Sequence, residues 1–276
     1  MSLVVLGALV CVGLAVGFAS GLVGIGGGVL IVPFLYFFYG AGWHGMTLAP
    51  ALQTTLAHAT SLFIILPTAL VGVRSFHKAG YVAWDAALPV GGFAVVGGLI
   101  GARLAILLPP EVLRLLFGLF LLYAGTQMLR RQVKRGQGPL RVDLARTIPI
   151  GLAVGMLSAM MGVGGGILAI PLLLYVVHLE MERVAATSLA VIAFAALAGT
   201  FSYALGGTSG QTLPVGSLGY VHVAAALPML VGSIPAVRLG ARLNRKLHSR
   251  TLRVLFAAVF LLLGLRLIAA NAGALL

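Results

Sequence analysis

Long apolar runs alternate with short polar segments along almost the whole chain. A helix that crosses a bilayer needs about 20 predominantly apolar residues, so the long runs are predicted to cross the membrane and the shorter pieces between them to be further membrane segments. The first half has such runs at Leu3–Leu22, Val29–Tyr39, Ala49–Val73, Val82–Leu108 and Val112–Leu129. The second half has them at Thr147–Met161, Ile167–Val177, Val184–Leu205, Val221–Leu243 and Thr251–Ala272. The pattern predicts an all-α polytopic membrane protein.

Two glycine-rich stretches interrupt this pattern at equivalent places in the two halves. Gly17–Pro33 reads GFASGLVGIGGGVLIVP, and Gly155–Pro171 reads GMLSAMMGVGGGILAIP. Shorter segments recur in the same order: Ala59–Leu62 with Ala186–Leu189, Gly80–Val82 with Gly219–Val221, and Gly101–Leu104 with Gly240–Leu243. These matches predict a tandem duplication. The first transmembrane repeat is assigned to residues 1–129, a basic cytoplasmic linker to 130–146 and the second repeat to 147–276.

The composition excludes an ordinary soluble domain. The chain is 61% hydrophobic and 8% charged, whereas a soluble domain carries about 25% charged residues. The net charge of +13 comes from basic residues clustered between the apolar runs. Such clusters are typical of cytoplasmic loops beside anionic lipid, so no nucleic-acid partner is predicted.

Charge also favours one orientation of the two repeats. If the chain turns back at each glycine stretch, each half has an odd number of full crossings and the halves are inverted. Each repeat then has about five membrane segments, including a glycine-broken helix pair that crosses fully or forms a re-entrant hairpin. Arg74, Lys78, the linker and Arg242–Arg253 then share the cytoplasmic side, and both termini lie outside. Parallel halves would separate the linker from Arg242–Arg253, whereas inverted halves leave Arg103–Arg114 outside.

The glycine stretches are predicted to bind an anion at two matching helix breaks. Each new helix begins with backbone N–H groups that have no partner within the helix, and its dipole adds partial positive charge there. Glycine lets an oxyanion approach the backbone, and a serine in each stretch can donate a hydroxyl. The predicted residues are Ser20, Gly24, Gly26, Gly27, Gly28, Ser158, Gly162, Gly164, Gly165 and Gly166. The alternative is that the glycines only allow close helix packing.

Polar residues follow each glycine stretch at the start of the next apolar run. The predicted substrate contacts there are Gln53, Thr54, Thr60, Ser61, Thr187 and Ser188, unless the hydroxyl groups bond to their own helix backbone. His58 is a candidate for proton coupling or a hydrogen-bonded structural histidine. Arg103 and Arg242 either attract anions or extend to lipid headgroups. The sequence shows no cluster of metal ligands and no catalytic constellation, so no metal, cofactor or enzyme activity is predicted.

The paired glycine motifs, the Ala-Thr-Ser-Leu segments and the Gly-Ala-Arg-Leu segments resemble the TauE/SafE family of membrane transporters. That family is also called the sulfite exporter or toluene-sulfonate uptake permease family. The resemblance covers nearly the whole chain except the linker. It implies transport of sulfite, an organosulfonate or a related small anion across the bacterial inner membrane. It does not fix the substrate or the direction, and export is the favoured direction.

Two other functions are compatible with the same residues. An anion channel would use the same glycine breaks but would show no counterflow. A non-transporting membrane scaffold would use the glycines only for helix packing. The sequence contains no ATP-binding element, so a transporter would be a secondary one. Its oligomeric state, substrate and coupling ion stay open.

Overall fold

Ten helices make up most of the part of the chain that the computed structural model describes, residues 3–24, 26–42, 48–130, 142–206, 212–244 and 250–272. The first five are α1 Leu3–Val23, α2 Gly28–Gly40, α3 Pro50–His77, α4 Trp84–Leu107 and α5 Pro110–Arg130. The second five are α6 Leu144–Met161, α7 Gly166–Tyr175, α8 Met181–Ala204, α9 Val223–Asn244 and α10 Arg250–Ala272. A short antiparallel pair, β1 Ser217–Leu218 and β2 Val221–His222, precedes α9.

The predicted all-α polytopic membrane fold is confirmed. Among the described residues, six helices are long and apolar enough to cross a bilayer: α1, α3, α4, α6, α8 and α9. By contrast, α2 has 13 residues and α7 has 10. At 1.5 Å per residue they are about 20 and 15 Å long, shorter than the hydrocarbon core of about 30 Å. These two helices therefore reach only part of the way across.

Two equivalent helix pairs each join one half of the chain to the other. Helix α1 packs along α9, and α6, the counterpart of α1, packs along α4, the counterpart of α9. A Cβ built on Gly17 would lie 2.5 Å from Ser233 Cα. On the other pair, a Cβ on Gly155 would lie 2.7 Å from Ala94 Cα. Glycine at these positions lets the two backbones touch, as small residues do between membrane helices.

The register of these contacts gives the direction of each helix. Along α1, Gly13, Gly17 and Gly21 meet Met229, Ser233 and Val237 in turn, so α1 and α9 are parallel. In α3 and α8 the order is reversed, because Gly72 meets Leu189 whereas Gly199 meets Leu62. Helices α3 and α8 are therefore antiparallel.

The final helix of each half is also antiparallel to its counterpart. Gly118 of α5 lies against Gly264 of α10, and Gly125 lies against Ala257. These two helices pack on each other at one side of the molecule.

Helix α6 begins at Leu144, three residues before the start of the predicted apolar run at Thr147. The Asp143 carboxylate caps it by accepting a hydrogen bond from the Arg146 N–H at 2.9 Å. Residues 131–141 of the linker lie outside the described part of the chain. So do residues 43–47, 207–211 and 245–249 of the predicted loops.

Candidate functional site

The two glycine breaks have the same backbone conformation. In the first, Gly24, Gly26 and Gly27 have φ of 75°, 88° and 75°, and in the second, Gly162, Gly164 and Gly165 have φ of 65°, 78° and 73°. Residues other than glycine rarely adopt a positive φ. The glycines of the breaks therefore do more than allow close packing, unlike those along α1. Pro33 and Pro171 lie inside α2 and α7, so the glycines alone end one helix and start the next.

Each short helix begins without a side-chain cap. Gly27 is the N-cap of α2 and Gly165 is the N-cap of α7, and neither has a side chain that could bond to the first N–H groups. In α2 the Gly27 carbonyl accepts from the Leu30 N–H at 3.0 Å, which leaves the N–H groups of Gly28 and Val29 outside the helical ladder. These N–H groups and the helix dipole together favour an anion at this end.

A buried serine hydroxyl lies beside each of these helix starts. Ser20 and Ser158 are each 1% exposed, and neither Oγ has a hydrogen-bond partner among the described residues. A Cβ built on Gly27 would lie 3.5 Å from Ser20 Cβ, and one on Gly165 would lie 3.1 Å from Ser158 Cβ. A buried unpaired hydroxyl costs about 1–3 kcal/mol, so finding the same cost at both breaks indicates a role beyond packing.

The two breaks meet near the middle of the molecule. A Cβ built on Gly28 would lie 2.6 Å from the Gly162 carbonyl oxygen, so the start of α2 touches the end of α6. Two buried isoleucines, Ile65 of α3 and Ile192 of α8, lie over both breaks. Built Cβ atoms on Gly26 and Gly164 would lie 3.2 and 3.0 Å from Ile192. An apolar pair therefore covers the place where the helix starts converge.

The serines of the two Ala-Thr-Ser-Leu segments tie the halves together at these breaks. Ser61 Oγ donates to the Gly162 carbonyl at 2.6 Å, and Ser188 Oγ donates to the Gly24 carbonyl at 2.8 Å. Each serine thus binds the helix end of the other half. The bonds hold the breaks in place, and they use the hydroxyl protons of both serines.

The threonines of the same segments bind the chain just before a helix of the other half. Thr60 Oγ1 accepts from the His222 N–H at 3.0 Å, next to the start of α9. Thr187 Oγ1 accepts from the Ala83 N–H at 3.1 Å, next to the start of α4. Both threonine side chains are fully buried.

Three other predicted residues lie away from the breaks. Gln53 donates to the Leu48 carbonyl at 2.8 Å, near the start of α3. Arg103 and Arg242 are exposed on α4 and α9. The structure therefore brings the glycines and Ser20, Ser158, Ser61 and Ser188 together, and it leaves Gln53, Arg103 and Arg242 outside that group.

A second polar cluster surrounds His58, one helical turn before Ser61 on α3. Tyr36 Oη lies 2.5 Å from His58 Nε2, and the guanidinium of Arg114 lies over the Tyr36 ring at 5.3 Å. Arg114 Nε also donates to Thr54 Oγ1 at 2.8 Å. Sequence reasoning missed Tyr36 and Arg114, which come from α2 and α5, because nothing in their local sequence shows that they meet α3.

No group of three or more His, Cys, Asp or Glu side chains within the described ranges could hold a metal ion. The polar groups that converge are hydroxyls, backbone N–H groups and one guanidinium.

Comparison with known proteins covers nearly the whole chain. The family model described as Sulfite exporter TauE/SafE matches residues 9–267. The chain belongs to the TauE/SafE family. A probable membrane transporter protein of Methanocaldococcus jannaschii is 28% identical to this TauE/SafE chain over 264 residues, covering 95% of each protein. The probable membrane transporter protein YunE of Bacillus subtilis is 26% identical over 278 residues, covering 94% of this chain and 96% of the relative. No solved structure gives a significant match.

As a member of the TauE/SafE family, the protein is a multi-pass membrane transporter and not an enzyme. The resemblance inferred from the paired motifs is confirmed, and so is the predicted class of function.

Proposed function

We propose that this TauE/SafE protein is a bacterial inner-membrane secondary transporter that binds a small anion between its two glycine breaks and moves it out of the cell. The observation that carries the proposal is a buried hydroxyl beside each uncapped helix start, that of Ser20 or Ser158, which no described residue hydrogen-bonds. Together with the nearby N–H groups, these hydroxyls supply donors for an oxyanion from two sides. Gly24, Gly26, Gly162 and Gly164 have positive φ and form the turns that bring these donors together.

Sulfite or an organosulfonate is the proposed substrate. Both carry several oxygen acceptors on one sulfur centre, which suits N–H and O–H donors from two helix starts. The description of the family model as a sulfite exporter supports this class and the export direction.

We further propose that the two halves form inverted repeats. Support comes from the helix directions, because α3 and α8 are antiparallel, as are α5 and α10. An inverted pair of repeats gives alternating access when one moves against the other around a fixed site. In this topology α3 begins on the outside, and Arg74, Lys78 and the linker are cytoplasmic.

The roles of the other predicted residues are part of the proposal. Thr60, Ser61, Thr187 and Ser188 hold the breaks in the geometry that binds the anion. Arg103 and Arg242, exposed on matching helices, attract anions towards the two faces.

Flux of radiolabelled sulfite into proteoliposomes tests the proposed function. We expect saturable uptake that sulfonates inhibit and that sulfite on the opposite side accelerates. Saturable uptake without this acceleration would indicate an anion channel. An absence of uptake for every sulfur oxyanion, under several pH and voltage gradients, would favour a scaffold and contradict the proposal.

Proton coupling through His58 is tested by the same assay. Its ring contacts Tyr36 from α2 and Phe117 from α5, and the charged group nearby is Arg114 of α5, which lies over the Tyr36 ring. We expect a transmembrane pH gradient to change the sulfite flux of the wild type, and His58→Gln to remove that dependence. If the variant keeps the full pH dependence, His58 does not couple protons.

A further inference from the structure

A positive side chain lies close to α3 without a carboxylate partner. Arg114 Nε donates to Thr54 Oγ1 at 2.8 Å, and Arg114 Nη2 donates to the Pro50 carbonyl at 3.0 Å. These bonds use two of the five N–H donors of a guanidinium. Of the ion pairs between described side chains, only Arg146 with Asp143 is within 4.0 Å, so no carboxylate neutralises Arg114.

Tyr36 and His58 connect Arg114 to the interior of the protein. The Tyr36 ring lies between them, with its face towards the guanidinium and its hydroxyl 2.5 Å from His58 Nε2. His58 is fully buried, and its Nδ1 has no hydrogen-bond partner among the described residues. If the phenol donates to Nε2, neutral histidine carries its proton on Nδ1, which leaves an unused buried donor.

The buried part of this cluster occurs in the first half only. The second half has Leu174 and Ala185 at the positions equivalent to Tyr36 and His58, whereas Arg253 stands at the position equivalent to Arg114. Tyr36 and His58 are thus not a by-product of the duplication. The cluster lies where α3 begins, the outer face in the inverted topology.

The cluster adjoins the glycine breaks at its inner end, where a Cβ built on Gly162 would lie 2.6 Å from His58 Cα, and extends away from them to Arg114. Thr54, His58 and Ser61 lie on one face of α3 at spacings of four and three residues. Thr54 is about 10 Å from Ser61 along the helix axis. Ser61 in turn binds the Gly162 carbonyl.

We propose that Arg114, Tyr36, His58 and Thr54 form a second oxyanion-binding site on the outer side of the glycine breaks. The occupant is the same class of small sulfur oxyanion as the transported substrate, so the inference rests on the proposed function. Arg114 supplies the charge and the N–H donors that its bonds to Thr54 and Pro50 leave free. Thr54, whose own hydroxyl donates to the Pro50 carbonyl at 2.9 Å, and Tyr36, held by His58, orient the guanidinium. An exported anion pauses at this site after it leaves the breaks.

Equilibrium binding of radiolabelled sulfite to the purified full-length protein tests this second site. We expect wild type to bind two anions per chain, and Arg114→Gln and the Ser20→Ala, Ser158→Ala double variant to bind one each. Arg266→Gln is the matched control, since it removes an exposed arginine from α10, and it should bind two. Arg114→Lys should retain the site with weaker affinity, because it keeps the charge but not the planar fork.

The outcomes separate the two sites. Arg114→Gln should still bind one anion, and this binding should disappear when Ser20 and Ser158 are replaced in the same chain. That result shows that the Arg114→Gln variant is folded. If Arg114→Gln still binds two anions, the second site is wrong. If wild type binds one anion, loss of that binding in Arg114→Gln but not in the serine variant places the anion at the Arg114 site. Loss of binding in the serine variant but not in Arg114→Gln overturns the Arg114 site. No binding to wild type contradicts both sites.

Discussion

At the scale of single residues, the glycines on helix faces and the glycines in the breaks have different structural roles. Gly13, Gly17 and Gly21 of α1 face α9 with ordinary helical φ and allow close contact between backbones. Those in the breaks have positive φ and shape the chain itself. Substitution by alanine should therefore have effects of different size and origin at the two kinds of position.

Gly27→Ala is expected to destabilise the protein by about 1–3 kcal/mol, because alanine must adopt a φ of 75° next to Val16. Gly92→Ala is the control, since Gly92 lies in α4 with no atom within 4 Å of a built Cβ. The control should be neutral or stabilising by up to about 1 kcal/mol. Thermal unfolding of the two purified variants measures the difference. Equal stability of the two variants would contradict the assigned role of Gly27.

The residue scale also shows what the sequence could reveal. The glycines and serines of the breaks and the Thr-Ser pairs could be identified as candidate site residues from the sequence, because each occurs twice at fixed spacing. Arg114 could not, because its contact with Thr54 spans 60 residues and depends on how α5 packs on α3. Ile65 and Ile192 gave no signal either, since isoleucine is ordinary in an apolar helix.

At the scale of helices, the broken pairs depend on the long helices around them. The start of α2 lies at Ile65, and Tyr36, two turns later, lies at His58. Helix α2 therefore runs antiparallel to α3, from the middle of α3 towards its first residues. The starts of α2 and α7 could be predicted from the glycine motifs, and the duplication led to the expectation that these starts face one ligand. The contacts that join them, such as Gly28 with Gly162, could not be predicted, because they depend on how the two halves pack.

The apolar pair over the breaks is expected to limit leakage. Ile65 and Ile192 are fully buried beside Gly26 and Gly164. The Ile65→Ala, Ile192→Ala variant should remove this cover and raise the non-saturable flux of anions through proteoliposomes at least tenfold. Ile100→Ala is the control, since Ile100 is 47% exposed on α4. A variant that folds but leaks no more than the control would show that the isoleucines do not close the path.

At the scale of the whole molecule, packing between the halves explains why both halves have glycine-rich helix faces. Helix α1 requires α9 and α6 requires α4, so neither repeat can bury its glycine faces alone. The order and number of helices could be predicted from hydropathy and the internal repeat. Helix directions needed the register of the contacts.

Inverted topology makes a prediction about accessibility from each side of the membrane. In a Cys11→Ser background, Val215→Cys and Lys78→Cys each introduce one thiol at an exposed position, and Val215 is 91% exposed. A membrane-impermeant thiol reagent on intact cells should label Val215→Cys and leave Lys78→Cys unlabelled. Labelling of both, or of Lys78→Cys alone, would contradict the proposed orientation.

The central claim is that an anion binds at the two glycine breaks through Ser20 and Ser158. Sulfite flux through proteoliposomes containing the Ser20→Ala, Ser158→Ala variant tests it most directly. Because these hydroxyls have no hydrogen-bond partner in the described part of the chain, their removal should leave thermal stability unchanged or slightly higher. We predict at least a tenfold loss of saturable flux in this equally stable variant. Flux equal to that of wild type would contradict the claim and place the substrate elsewhere in the protein.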